Sequence, residues 1–243
     1  MSGLFYQLGK RAAPAVVRAR WLYRSLTGDE SDRIKAEYAM GCYLTYLHTR
    51  EGNLERDPKT VRWLNSLCAR LSRALVNRER RFQVRCTSSP EANAFALPGG
   101  FLFVSTGLID LCGSDTDEIA FVLGHEMGHV VKGHAFNRIV TSEVARLLSQ
   151  RIPPLQGPLR PIATRVIRRL VTQGYSRRQE LEADRFATRL TRVAGYDPEA
   201  AIPLFDRLRT QTGTNDESNP YFSSHPPFKA RIEKIRQAIE ENR

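Results

Sequence analysis

The residues with the clearest chemical potential are two histidines and a glutamate in the pentapeptide HEMGH, at His125, Glu126 and His129. Asp115 and Glu118 form a D-x-x-E capping box, which predicts a long helix beginning at about residue 117. Side chains four residues apart project from one face of a helix, so both imidazoles can reach one metal ion. Glu126 lies one step around the helix, where its carboxylate can activate a water molecule as general base. The spacing therefore predicts a catalytic zinc site.

The helix that carries this pattern is apolar on nearly every side. Its apolar residues include Ile119, Ala120, Phe121, Val122, Leu123, Val130 and Val131. A helix that is apolar all round is predicted to be buried. Polar side chains buried in such a helix need partners, and a bound metal ion supplies them.

A catalytic zinc site needs a third protein ligand. The pattern HExxHxxGxxH takes a histidine from the same segment, but the chain has Lys132 and Ala135 where that pattern requires glycine and histidine. His134 is one residue out of step with the pattern. We therefore expect His134 to cap the end of the helix or to contact the surface.

A second predicted helix, over residues 177–193, offers two glutamates instead. Helical spacing places Glu180 beside the apolar stripe and Glu182 among arginines on the solvated face. Glu180 is therefore the predicted third ligand. Asp184, one turn farther on, is predicted to accept a hydrogen bond from the far nitrogen of a ligating histidine and so to fix its tautomer.

These motifs resemble metallopeptidase family forty-eight, which includes gluzincins of the HtpX and CAAX prenyl protease types. The likeness rests on HEMGH, on ELEAD at 180–184 and on SSHPPFKARI at 223–232. The stretch NAFALPGGFLFVSTGLI at 93–109 is similar to the bacterial Oma-type branch of that family. The resemblance implies a zincin-like gluzincin domain that holds one Zn²⁺ per chain. Many members carry transmembrane segments or a lipoprotein signal, and neither pattern is found here, so location and substrate are not carried over.

The resemblance also implies roles for single residues. The zinc ligands fall on His125, His129 and Glu180, and the base falls on Glu126, in agreement with the helical spacing. The histidine–proline motif of the family falls on His225 and the proline after it. We predict that His225 donates a hydrogen bond to the oxyanion formed during hydrolysis. The alternative for His225 is a loop histidine exposed to water.

The predicted secondary structure favours an α+β fold, mostly helical with a small central sheet whose edge strand flanks the active site. Helices are predicted over 31–50, 59–79, 162–173, 177–193, 198–211 and 227–241, and strands over 81–87 and 101–105. The segment FLFVS at 101–105 leaves a tight Pro-Gly-Gly turn. It is either a sheet edge on which a substrate backbone pairs or an internal strand, and the sequence leaves both open.

The charge of the chain, +11 with a pI near 9.9, favours anionic partners, or else reflects a solvated basic surface. Residues 1–28 form a basic segment ahead of a predicted metallopeptidase domain over 29–243. Five basic residues precede the first acidic residue: Lys10, Arg11, Arg18, Arg20 and Arg24. This pattern suits a helix lying on an anionic membrane, an organellar transit peptide or a solvated helix. No specific nucleic acid is expected as a partner.

Cysteine usage bears on the compartment. The four cysteines are widely spaced and form no CxxC pair, so a disulfide framework is not expected. Cys42 and Cys68 lie in helical patterns and are predicted to be buried thiols. A reducing compartment fits, and we expect a cytoplasmic protein that is in contact with the membrane surface at most.

Together these patterns predict a zinc endopeptidase that cleaves protein or peptide substrates, in protein quality control. One alternative is a membrane-surface or holdase-like protein with a zinc site, in which proteolysis is secondary. Another is a zinc hydrolase that acts on a non-peptide bond. A purely structural zinc site has no use for the free carboxylate of Glu126 beside two ligands, which favours the peptidase.

Overall fold

The computed structural model of the chain describes residues 29–50, 54–140, 174–211, 225 and 229–241. Their elements follow the order α1 Glu30–Arg50, α2 Pro58–Arg73, β1 Gln83–Thr87, β2 Ala94–Leu97, β3 Phe101–Ser105, α3 Thr106–Leu111, α4 Thr116–Val131, α5 Arg177–Val193, a 3₁₀ turn Pro198–Ala200, α6 Ala201–Gln211 and α7 Lys229–Glu240. Residues 134–140 are also helical. The predicted α+β fold is confirmed. The basic segment 1–28 and the predicted helix 162–173 lie outside the described residues.

The sheet has three strands in the order β1–β3–β2, with β1 parallel and β2 antiparallel to β3. FLFVS forms β3 and is therefore the internal strand, which decides between the two alternatives. The edge strand β2 packs against α4, so an edge strand flanks the helix that carries HEMGH, as predicted. Every residue of β2 is at most 7% exposed, so its outer edge is covered.

Helix α4 forms the centre of the fold. Asp115 caps it, accepting hydrogen bonds from the backbone N–H groups of Asp117 and Glu118. The side chain of Glu118 pairs with Arg207 on α6, a contact that the predicted capping box did not include. Every residue from Glu118 to Val130 is buried. The apolar segment is thus enclosed by its neighbours, as its sequence predicts.

Small residues let α4 and α5 pack closely where they cross. A methyl group on Gly128 would lie 3.1 Å from Cα of Ala183, and one on Gly124 would lie 3.4 Å from Cα of Ala187. Both glycines flank the histidines of HEMGH in the sequence. The close approach of the two backbones is what brings Glu180 on α5 to the histidines on α4.

Helix α1 packs with a face that does not include Cys42. Cys42 and Tyr46 are exposed, so the prediction of a buried Cys42 thiol is wrong. The reason lies at Gly41, where a methyl group would meet the carbonyl oxygen of Pro98 at 1.9 Å. This contact with the turn before β3 directs the Gly41 face inward. Cys68 is buried as predicted, and burial raises the pKa of its thiol to about 11.

Two further elements differ from prediction. Helix α2 ends at Arg73 rather than at residue 79, and the short helix α3 was not predicted. The Ser105 side chain caps α3 by accepting a hydrogen bond from Leu108 N. None of the helices within the described ranges is both long enough and apolar enough to span a bilayer.

Candidate metal centre

The three predicted zinc ligands meet in the interior between α4 and α5. His125, His129 and Glu180 are fully buried, at 0% exposure. The Nε2 atoms of the two histidines lie 3.0 Å apart. One carboxylate oxygen of Glu180 is 3.4 Å from His129 Nε2, and the other is 3.5 Å from His125 Nε2. The structure therefore brings together the residues that helical spacing selected.

The chemistry of these atoms fits a metal ion. Asp184 Oδ1 lies 2.9 Å from His125 Nδ1, and a carboxylate can only accept there, so Nδ1 carries a proton and Nε2 is the nitrogen left to bind a metal. Burial lowers the pKa of His129 to about 3, so the His129 ring is neutral. A tetrahedral zinc site, with bonds of about 2.0–2.2 Å, spaces its ligands by roughly 3.3–3.6 Å. The observed separations are close to that spacing.

Arg231 on α7 pairs with two buried carboxylates, those of Asp184 and Glu180. Its Nε and Nη2 each lie 2.7 Å from an oxygen of Asp184, and its Nη1 lies 2.8 Å from Glu180 Oε2. Burial raises the pKa of both carboxyls, but Arg231 together with the neighbouring histidines outweighs it and leaves each pKa below its usual value. Two buried carboxylates one turn apart are thus held ionised, and Arg231 is the cation that they share.

Sequence reasoning missed Arg231, although a signal was present. The buried residues of α7 form one stripe that consists of Arg231, Ile235, Ala238 and Ile239. A basic residue in line with an apolar stripe is buried with a partner, because an unpaired charge is costly in a protein interior. The helical spacing of 227–241 could therefore have indicated that Arg231 faces an acidic group.

His225 lies inside the centre and not in solvent, so the exposed-loop alternative is wrong. Its Nδ1 is 3.1 Å from Glu180 Oε1 and 3.2 Å from His125 Nε2. The ligand atoms of His125, His129, Glu180 and His225 all lie within 4.8 Å of one another. Burial lowers the pKa of His225, but Glu180 and Glu126 outweigh it and raise that pKa to about 9.

The predicted base, Glu126, adjoins this group. It is fully buried, and its Oε1 lies 3.1 Å from His225 Nε2. Burial raises the pKa of Glu126, but His225, with smaller contributions from His129 and His125, brings it below the usual value. The carboxyl group is therefore ionised at neutral pH and can accept a proton.

Two more residues support His129. His134, expected at the surface or at the helix end, is only 4% exposed, and its Nδ1 lies 2.9 Å from His129 Nδ1. The expectation was wrong because Gly133 adopts a φ of 69°, which ends α4 and turns the chain so that His134 points back to His129. The ring of Tyr175 stacks on His129 at a centroid distance of 3.8 Å. No spacing pattern in the sequence singles out Tyr175.

Comparison with known proteins agrees with this geometry. The sequence model of peptidase family M48 matches residues 58–239. The chain is 32% identical over 166 residues to "Mitochondrial metalloendopeptidase OMA1" of Schizosaccharomyces pombe, covering 66% of this chain and 48% of the relative. It is 33% identical to the Arabidopsis thaliana protein of the same name, covering 65% and 31%. It is 30% identical to "Metalloprotease YcaL" of Escherichia coli, covering 70% and 68%. The chain thus spans half or less of the length of these two OMA1 proteins.

Proposed function

Because the chain belongs to peptidase family M48, we propose that it is a zinc-dependent endopeptidase that hydrolyses peptide bonds in protein substrates. The observation that carries the proposal is the buried carboxylate of Glu126 beside a cluster of two imidazoles and a second carboxylate. The family implies a metal, and the donor set of nitrogen and oxygen atoms suits zinc. The ligands in this proposal are His125, His129 and Glu180.

A zinc ion held there supplies Lewis-acid chemistry, which polarises a substrate carbonyl and acidifies water. Glu126 accepts a proton from the attacking water and delivers it to the leaving amine. His225, next to Glu126 and within reach of the ligand group, donates a hydrogen bond to the developing oxyanion. Asp184 holds His125 in the tautomer that leaves Nε2 unprotonated.

The test uses Glu126→Gln, which preserves the shape of the side chain but removes the base. This variant should keep its zinc and lose hydrolysis of an unfolded reporter protein by about 10²–10⁴-fold. Glu240→Gln, an exposed carboxylate on α7, is the matched control and should cleave at the wild-type rate. Undiminished cleavage by Glu126→Gln would overturn the mechanism. Zinc binding and suppression of aggregation by wild-type protein, without any cleavage, would favour the holdase-like alternative.

The setting of the enzyme belongs to the proposal as well. The peptidase names of the relatives support protein substrates, and we propose a role in protein quality control. We propose that residues 29–243 form the peptidase domain and that the basic segment 1–28 contacts an anionic membrane surface. The net charge of +11 supports that contact, since each basic residue near such a surface contributes about 1 kcal/mol.

A further inference from the structure

One part of the centre is not used by the proposed mechanism, namely the contacts that run outward from His129. His134 Nδ1 lies 2.9 Å from His129 Nδ1, and His134 Nε2 lies 3.3 Å from Glu182 Oε2. Glu182 Oε1 accepts a hydrogen bond of 2.9 Å from Arg178 Nε. We call His134, Glu182 and Arg178 the outer support. It leads from the metal centre to the surface of α5.

The direction of these hydrogen bonds is fixed at the outer end. The Glu182 carboxylate is paired with the guanidinium of Arg178 and can only accept hydrogen bonds. His134 must therefore donate from Nε2 to Glu182. In a neutral imidazole the other nitrogen is then an acceptor, so His134 Nδ1 accepts a proton from His129.

The consequence for His129 is specific. A separation of 2.9 Å between the two Nδ1 atoms allows one proton between them, and since His134 Nδ1 accepts, that proton is on His129. A neutral His129 with its proton on Nδ1 has a lone pair on Nε2. That nitrogen faces His125 Nε2 at 3.0 Å and the Glu180 carboxylate at 3.4 Å, where the ligand atoms meet.

We propose that His134 and Glu182 are positioning residues that hold His129 in the tautomer and orientation required of a metal ligand. This inference rests on the proposed function, because it presupposes that His129 binds zinc. His134 and Glu182 would do for His129 what Asp184 does for His125. The stacked ring of Tyr175 fixes the plane of His129 but cannot select between its two tautomers.

The experiment measures the zinc affinity of the zinc-loaded protein by competition with a chelator. His134→Leu removes the acceptor while keeping a side chain of similar bulk, and it should weaken zinc binding by about 10- to 100-fold. His134→Asn retains a polar atom at the place of Nδ1 and should recover most of that loss. Glu182→Ala, at a half-exposed position that tolerates change, should weaken binding less than His134→Leu but measurably. Glu240→Ala removes an exposed charge elsewhere and is the charge-matched control, with unchanged affinity expected.

Two results would overturn the proposal. One is a zinc affinity within about threefold of wild type for both His134→Leu and Glu182→Ala. The other is an equal loss in His134→Asn and His134→Leu, which would show that the position needs bulk and not an acceptor. If His134→Leu does not fold, Glu182→Ala carries the test by itself, and a zinc affinity within about threefold of wild type for that variant would then overturn the proposal. Failure of the peptidase proposal is seen separately, because wild-type protein would then bind no zinc or Glu126→Gln would cleave normally.

Discussion

The two histidines of α4 that we propose as zinc ligands are supported in contrasting ways, one by buried charges and the other by a chain of contacts that reaches solvent. Asp184 contacts His125 and pairs with Arg231, and we call these two residues the inner support. They are 1% and 2% exposed. Two hydrogen bonds of 2.7 Å join them, and the same guanidinium reaches Glu180. Every charge of the inner support has a partner within the core.

Along the outer support, the exposed fraction of each side chain increases with distance from His129. The side chains of His134, Glu182 and Arg178 are 5%, 38% and 89% exposed. Removing one partner of a buried ion pair leaves an uncompensated charge, whereas an exposed ion pair contributes little to stability. We therefore expect the inner support to be coupled to folding, while the outer support adjusts the metal site without unfolding the chain.

The largest difference should appear between the two glutamates of α5. Glu180→Ala removes one of the three proposed ligands, and the purified variant should contain essentially no zinc. Glu182→Ala leaves all three ligands in place and should retain about one zinc per chain despite its weaker affinity. Elemental analysis after gel filtration measures both. Zinc retained in the first variant and lost in the second would reverse the assignment of the two faces.

The next largest difference should be in the stability of two arginine variants, one from the inner support and one from the outer support. Arg231→Met leaves Glu180 and Asp184 as buried carboxylates without their guanidinium, which should lower the free energy of unfolding by about 3–5 kcal/mol. Arg178→Met removes an exposed partner and should change it by less than about 0.5 kcal/mol. Urea unfolding followed by circular dichroism gives both values. Equal effects would mean that the inner support is not tied to the core as described.

The smallest expected effect is on zinc affinity. Asp184→Asn keeps an oxygen acceptor for His125 Nδ1 but loses the charge paired with Arg231, so zinc should bind about 10- to 100-fold more weakly. Glu182→Gln also keeps an acceptor, here for His134, and its loss should be smaller because Glu182 is partly solvated. Chelator competition compares the two. A larger loss in Glu182→Gln would make the outer support the dominant one.

Much of this centre could be predicted because helical spacing is a local rule. The positions of His125 and His129, one turn apart on a buried helix, follow from five residues of sequence. The choice of Glu180 over Glu182 needed only the distribution of apolar residues around α5, and the structure buries the former and leaves the latter half-exposed.

Other features depend on contacts between distant segments and were missed or misplaced. His134 was expected at the surface because the chain reversal at Gly133 does not show in a helical pattern. Cys42 was expected to be buried because it lies in a helical pattern, yet the contact at Gly41 with the turn before β3 decides which face of α1 turns inward. Arg231 lies in line with the apolar residues of α7, which the sequence shows, but the carboxylates of Glu180 and Asp184 that pair with it belong to α5.

The backbone contact between α4 and α5 also bears on which metals the chain accepts. The distance between the histidine pair and Glu180 is set where Gly128 meets Ala183, and that joint cannot widen or narrow without moving the core. Such a frame presents nitrogen and oxygen donors at one fixed spacing. Magnesium and calcium demand six or more oxygen ligands, whereas the proposed ligands supply two imidazoles and one carboxylate. We therefore expect selection against the abundant alkaline-earth ions to depend on the helix crossing as well as on the ligands themselves.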